Sequence, residues 1–122
     1  QDFKLFLDLS VIDNIKIKNN LTNHKTEQEI LELINKVGLA HKENQLVKEL
    51  SLGQRQRVSI IRSLCQPFEF LLLDEPFSHL DENNIKILTT IINEEIKFRK
   101  AGFILSTLND EYLFKYDQVI KL

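Results

Sequence analysis

The sequence LSLGQRQR at residues 50–57, followed by LLLDEP at 71–76 and SHLD at 78–81, decides how this chain folds. The first segment predicts a helix that begins after Ser51 and runs to about Cys65, where Pro67 ends it. The second belongs to an apolar segment, Phe68 to Leu73, that is too short for a typical helix and closes on an acidic turn. It predicts a strand that is buried on both faces.

Residues downstream of that turn continue the alternation of helices and strands. Asp81 is expected to cap a long amphipathic helix. The apolar stripe of this helix comprises Ile85, Leu88, Ile92 and Ile96. A second strand is predicted from Phe103 to Ser106, a short helix from Asn109 to Lys115 and a third strand from Gln118 to Leu122. This order predicts an α/β fold in which parallel strands are joined by crossover helices.

The first half of the chain is predicted to contain helices and loops only. A helix from Val11 to Ile17 follows Ser10, and a polar loop covers 19–25. The next helix begins with the capping box of Thr26 and Glu29 and ends at Gly38. Its expected apolar face consists of Ile30, Leu31, Ile34 and Val37. Residues 41–49 are expected to form an irregular connector, and a subdomain boundary is placed near residue 66.

The composition excludes several classes of protein. A net charge of −2 argues against a nucleic-acid binder. No apolar run approaches the roughly 20 residues that cross a bilayer. The single Cys65 is expected to be a small buried side chain and suits a reducing cytoplasm. The three histidines, at 24, 41 and 79, lack partners at metal-site spacing.

Ser51 and Gly53 open a helix, and the free N–H groups at such a point attract phosphate. Gly53 would let a ligand approach the backbone closely. The competing interpretation is that Ser51 serves only as the helix N-cap.

Asp74 and Glu75 stand at the carboxyl end of the first predicted strand, where parallel sheets place their ligands. Asp74 is suited to hold Mg²⁺ through water, and Glu75 to orient and deprotonate an attacking water. The competing interpretation is an acidic turn that merely ends an apolar strand.

In combination these segments resemble the ATP-binding cassette (ABC) family, in which an LSGGQ signature, a Walker B strand and a D-loop follow in this order. Upstream, QDFKLF at 1–6 resembles the Gln loop of that family. Downstream, ILST at 104–107 resembles the strand before its switch histidine. The resemblance implies a Gln-loop segment at 1–9, a helical subdomain at 10–65, and the carboxy-terminal part of a RecA-like core at 66–122.

The resemblance also implies a role for each motif residue. Three signature residues would contact the γ-phosphate of ATP bound to the opposite subunit: Ser51, Gly53 and Gln54. Gln1 would sense the Mg²⁺ and the lytic water, and Asp81 would communicate across the dimer. Asp74 would serve the metal and Glu75 would be the general base.

The implied partners are a second cassette subunit and transmembrane transporter domains, but no nucleic acid. The implied location is the cytoplasm, at the inner face of the plasma membrane, where the protein would associate peripherally through those partners.

Three departures from the family pattern affect the expected activity. No sequence of the form GxxxxGK[ST] occurs, although this P-loop precedes the Gln loop in the family. The chain is therefore expected to be a partial cassette that lacks the P-loop half and is inactive alone. Leu52 replaces the first signature glycine. Leu108 stands where the switch histidine is expected, with Asn109 as a weak substitute.

The leading hypothesis is an ATPase subunit that energises a transporter, with QDFKL at 1–5 resembling exporters of the lipoprotein-release and cell-division type. A second hypothesis is a non-hydrolysing regulatory or dimerisation cassette, which the leucine at 108 favours. A third is a soluble cassette protein of DNA repair or translation. It is disfavoured because the segment between Gln1 and the signature is short, helical and without a basic patch.

Overall fold

A computed structural model describes residues 3–108 and 114–121 of the chain. Its regular elements are α1 (Val11–Asn19), α2 (Glu27–Lys36), a 3-10 helix (Val47–Glu49), α3 (Leu52–Leu64), β1 (Phe70–Asp74), α4 (Glu82–Arg99) and β2 (Gly102–Ser106). The helical first half and the parallel strands joined by α4 confirm the predicted α/β class. No helix among the described residues is long and apolar enough to span a membrane.

Each α-helix of the described chain begins behind a side chain that accepts an N–H from its first turn. Ser10, Thr26, Ser51 and Asp81 are these caps. Capping replaces hydrogen bonds that the first turn cannot make within the helix. The predicted starts are therefore confirmed.

Helix α2 ends at the predicted glycine but buries a different face. Gly38 has a φ of +77°, and the N–H groups of Gly38 and Leu39 donate to the carbonyls of Asn35 and Ile34. This is the Schellman arrangement, which favours glycine. The inclusion of Leu31 in the apolar face was wrong, since it is 38% exposed whereas Leu33 is 7% exposed. Leu33 follows Ile30 at the three-residue spacing that keeps side chains on one helix face.

The connector at 41–49 is more ordered than expected. It contains the 3-10 helix, and the Val47 side chain is fully buried. The Val47 N–H donates to the carbonyl of Leu9, and the Val11 N–H donates to the carbonyl of Gln45. These long-range hydrogen bonds hold the connector against the start of α1, which sequence periodicity does not reveal.

Strands β1 and β2 pair in parallel, with Phe70 opposite Gly102 and Asp74 opposite Ser106. The prediction that β1 is buried on both faces was wrong. Leu71 and Leu73 are buried, but Phe70 and Leu72 are 67% and 71% exposed. Successive strand side chains point to opposite faces, and no described element covers the second face.

The third predicted strand is absent from the described residues, because 118–121 have no regular structure. Leu122, its last predicted residue, lies outside the described residues. A strand needs a ladder partner, and β1 and β2 are the strands that pair in the described chain. Of the short helix predicted over 109–115, residues 109–113 lie outside the description, and Phe114 and Lys115 are not helical. Phe114 is instead buried, and its ring centroid lies 4.9 Å from that of Phe103.

The buried core is continuous across the predicted boundary near residue 66, since it includes Leu64 and Cys65 on one side and Leu71 and Leu88 on the other. The Arg99 guanidinium also joins the two parts. It donates to the carbonyls of Leu64 and Gln66 at the end of α3 and lies 4.1 Å from the centre of the Phe68 ring. The division into segments 1–9, 10–65 and 66–122 stays a prediction.

Candidate functional site

The start of α3 is held by a reciprocal capping box. The Ser51 hydroxyl oxygen accepts the Gln54 N–H at 3.2 Å, and the Gln54 Oε1 accepts the Ser51 N–H at 2.9 Å. Ser51 is thus the N-cap of α3, which was the competing interpretation of this residue. The box uses both side chains as acceptors, so the hydroxyl proton of Ser51 and the Nε2 amide of Gln54 remain as donors. Together with the helix dipole, these donors favour an anionic ligand.

Gly53 is required by a contact inside the chain. A Cβ atom at this position would lie 2.7 Å from the carbonyl oxygen of His79 and 3.6 Å from the Leu80 side chain. The first turn of α3 therefore packs directly against the backbone of the SHLD segment at 78–81. The motif pattern suggested a close approach by a ligand, and the internal contact was missed.

Glu75 adopts a backbone conformation that is uncommon for a residue with a side chain. Its φ is +43°, in the left-handed region. Its N–H donates to the carbonyl of Ser106 at 2.8 Å. Its carboxylate accepts the Thr107 hydroxyl at 3.4 Å and the N–H of Leu108. The half-buried carboxylate is therefore held towards the segment that follows β2.

Asp74 and Asp81 lie at opposite ends of the loop that contains Glu75. Asp74 is the last residue of β1, opposite Ser106, and its side chain is exposed. Asp81 is exposed and caps α4 by accepting the Asn84 N–H at 2.8 Å. Asp81 thus has a local structural role as the cap of α4.

Arg57 hydrogen-bonds to the first turn of α3 and to two neighbouring helices, and the motif pattern did not single it out. Its guanidinium donates to the carbonyl of Val37 at 2.6 Å, the Asn84 Oδ1 at 3.3 Å and the carbonyl of Gly53 at 3.4 Å. Burial lowers the pKa of Arg57, and the Asp81 charge opposes this effect. Arg57 therefore ties the end of α2 to α3 and α4.

Gln56 of α3 is the second residue that the motif pattern did not single out, and its side chain faces the loop of Glu75. It is 3% exposed and hydrogen-bonds to Glu75, Ser78 and His79. The sequence itself carries an indication of this burial, because Gln56 stands four residues before Ile60 and eight before Leu64. Residues at this spacing lie on one face of a helix, here the buried face of α3. The position therefore indicates a buried amide that needs partners.

Gln1 lies outside the described residues, but the chain that follows it runs beside the site. The Arg62 guanidinium donates to the carbonyls of Phe3 and Lys4 at 3.0 and 2.8 Å. The Phe3 ring meets the His79 ring edge-on, with centroids 6.3 Å apart. Residues 3–4 are thus fixed next to the SHLD segment.

The structure brings residues 51–54 at the start of α3, here called the signature start, into contact with the loop that joins Asp74 to Asp81. Within the described ranges, no group of three His, Cys, Asp or Glu side chains lies together. Cys65 is fully buried, as predicted, and burial raises the pKa of its thiol to about 12. Leu52 and Leu108 are exposed, the latter at 96%.

The family model and the curated relatives that match this chain all belong to one family. The sequence model of the ABC transporter family matches residues 1–78, which is more than half of the chain. The lipoprotein-releasing system ATP-binding protein LolD of Buchnera aphidicola is 40% identical over 104 residues, covering 83% of this chain and 45% of that protein. The aliphatic sulfonates import ATP-binding protein SsuB of Bacillus subtilis is 40% identical over 107 residues, covering 88% of this chain and 42% of that protein.

Among solved structures, the dimeric bacterial ABC transporter cassette MJ0796 is similar, with a TM-score of 0.72 and 23% identity. The match covers 87% of this chain and 49% of that one, and it supports the fold. The chain spans about half the length of the curated relatives it matches. A lipoprotein-releasing protein and a sulfonate import protein are both 40% identical to the chain, so these identities do not distinguish between their cargoes.

Proposed function

Because this chain belongs to the ABC transporter family, we propose that it forms the signature face and the Walker B end of an ATP-hydrolysing subunit that energises a transporter. The observation that carries the proposal is the contact between Gly53 and His79, which joins the signature start to the loop of Glu75. The start of the signature helix and the loop that carries the acidic residues are thus packed against each other within one subunit.

In this proposal the signature start binds ATP that is held by a second cassette subunit. The Ser51 hydroxyl proton, the Gln54 Nε2 amide and the N–H of Gly53 are donors, which suits a γ-phosphate. They lie at the first turn of α3, and Ser51 is exposed. An exposed donor cluster at a helix start is suited to complete a phosphate site on a partner.

The acidic end of β1 fits Mg²⁺ in the chemistry of its donors. Asp74 is an exposed carboxylate at a strand end, and Mg²⁺ favours one or two carboxylates together with water and phosphate oxygens. The ion would neutralise charge on the phosphates. Glu75 would accept the proton of the attacking water. Gln1 would sense the metal and that water, and Asp81 would communicate with the second subunit.

The proposed partners are a second cassette and transmembrane domains, with the subunit at the cytoplasmic face of the membrane. Residues 1–122 contain no P-loop sequence. We therefore place the phosphate cradle outside them and propose that the isolated chain is inactive. An exporter of the lipoprotein-release type is the proposed subfamily.

A second candidate function is a non-hydrolysing cassette that supplies its signature face to a competent partner. The observation that favours it is the side chain at 108, which is apolar and 96% exposed, while the backbone N–H of Leu108 donates to the Glu75 carboxylate. Leucine cannot donate a hydrogen bond to a γ-phosphate.

Steady-state phosphate release by the full-length protein, assembled with its membrane partner and saturated with Mg-ATP, tests the two candidates. The ATPase proposal predicts turnover that a Glu75→Gln variant loses. Absence of turnover in the wild-type assembly, with ATP binding retained, would replace it by the non-hydrolysing function.

A further inference from the structure

The Gln56 side chain forms a bridge from α3 to the loop between β1 and α4. Its Oε1 accepts the His79 N–H at 3.0 Å, and its Nε2 donates to the Glu75 carbonyl at 3.3 Å and, at 3.5 Å, to the Ser78 hydroxyl. The two backbone partners fix the orientation of the amide, because only its oxygen can accept an N–H and only its nitrogen can donate to a carbonyl.

The loop needs such support because Glu75 has a positive φ. A residue with a side chain keeps this conformation only when its surroundings determine it. On one side, Ser106, Thr107 and Leu108 hold the N–H and the carboxylate of Glu75. On the other side, the described contact with its carbonyl comes from Gln56.

Helix α3 joins Gln56 rigidly to the signature residues. Gln56 lies one half-turn beyond Gln54 on the same helix, and the Arg57 guanidinium anchors that helix to the end of α2 and to α4. Displacement of the α3 start would therefore be transmitted through the buried amide to the carbonyl of Glu75.

We propose that Gln56 is a positioning residue, which sets the backbone conformation of Glu75 according to the position of the signature helix. This inference rests on the proposed function, in which Glu75 is the base. Gln56 itself touches no reacting atom and acts through the loop at 75–79.

The test compares the full-length wild-type protein with Gln56→Met, which keeps the side-chain length and removes both hydrogen-bonding groups. Asn19→Leu is the matched control. Asn19 is also a buried amide with two backbone hydrogen bonds, both to Lys25 and both 2.7 Å long, but it lies away from the loop. Both variants lose a buried amide, so effects of general destabilisation appear in both.

We expect Gln56→Met to lower kcat about tenfold while the KM for ATP changes less than about twofold, because misplacement of a base slows chemistry more than binding. Residue-resolved amide exchange should show the His79 amide exchanging about tenfold faster, with the Glu75 amide, which bonds to Ser106, less affected. Asn19→Leu should leave both kcat and the His79 exchange close to wild type.

Unchanged His79 exchange in Gln56→Met, or a kcat that falls no further than in Asn19→Leu, would overturn the proposal. If Gln56→Met does not fold, Gln56→Glu carries the test, since it keeps the acceptor for the His79 N–H and loses the donor to Glu75. If the wild-type protein hydrolyses no ATP, the proposed function fails and Gln56 positions no base; faster exchange of the His79 amide would then show only that Gln56 holds the loop.

Discussion

The carbonyl oxygen of His79 lies 2.7 Å from the position that a Cβ atom on Gly53 would occupy. Real Cβ atoms do not approach a backbone oxygen this closely, so the contact restricts position 53 to glycine. Because the oxygen belongs to the backbone and the position of a Cβ atom is set by the backbone, neither can rotate away as the end of a side chain would. The relationship fixes the distance between the signature helix and the loop of Glu75.

Gly53→Ala is therefore expected to destabilise the protein by ~1–3 kcal/mol, the usual cost of overpacking. The direction of the stability change is informative. Replacing glycine by alanine inside a helix normally stabilises a protein by roughly 0.5–1 kcal/mol, so a loss of stability would point to the contact with His79. Denaturant unfolding of residues 1–122 measures the change. Leu52→Ala, at the exposed neighbouring position, is the control and should change stability by less than about 0.5 kcal/mol. A stabilising Gly53→Ala would show that the loop moves freely away from α3.

Glu75→Gln in the full-length protein is expected to lower ATP turnover by ~10²–10⁴-fold, because an amide cannot accept the proton of water. The structure explains why the loop should stay intact. The new Oε1 can accept the Leu108 N–H, and the new Nε2 can donate to the Thr107 hydroxyl. ATP binding should persist, and the ATP-bound dimer should accumulate. Phosphate release and gel filtration with ATP measure the two effects. More than half of the wild-type turnover would remove Glu75 from the role of base.

Leu108→His in the full-length protein is expected to raise ATPase activity about tenfold, equivalent to roughly 1.4 kcal/mol from one added transition-state hydrogen bond. The exposed Leu108 side chain leaves room for an imidazole, and the N–H that bonds to Glu75 is unaffected by the substitution. Leu108→Ala is the control for removal of the leucine. Robust wild-type turnover with no gain in the histidine variant would contradict the alignment of position 108 with the switch histidine.

The isolated chain of residues 1–122 is expected to bind Mg-ATP weakly and to hydrolyse none. Phosphate affinity in this class of site comes mainly from the P-loop backbone and its lysine, and the sequence contains neither. Isothermal titration of the purified chain with Mg-ATP is the measurement. Stoichiometric binding in the micromolar range would show that the signature face alone is a sufficient site.

The amino-acid sequence alone was enough to place the helix starts. Thr26 with Glu29, Ser51 with Gln54, and Asp81 with Asn84 are pairs three residues apart, and each forms the predicted cap. Such hydrogen bonds close within one turn, so they depend on neighbouring residues and little else. The order of motifs from 50 to 81 likewise indicates the family by itself, although the roles of Gln1, Asp74 and Glu75 stay predictions.

Only the tertiary structure decided which surfaces are covered and which distant groups meet. The single-sided burial of β1, the missing strand at 118–121 and the exposure of Leu31 all depend on what packs against a segment, which its own periodicity does not contain. The same holds for Gln56. Its partners are 19 to 23 residues away in sequence, and only the packing of α3 on the loop brings them within hydrogen-bonding distance.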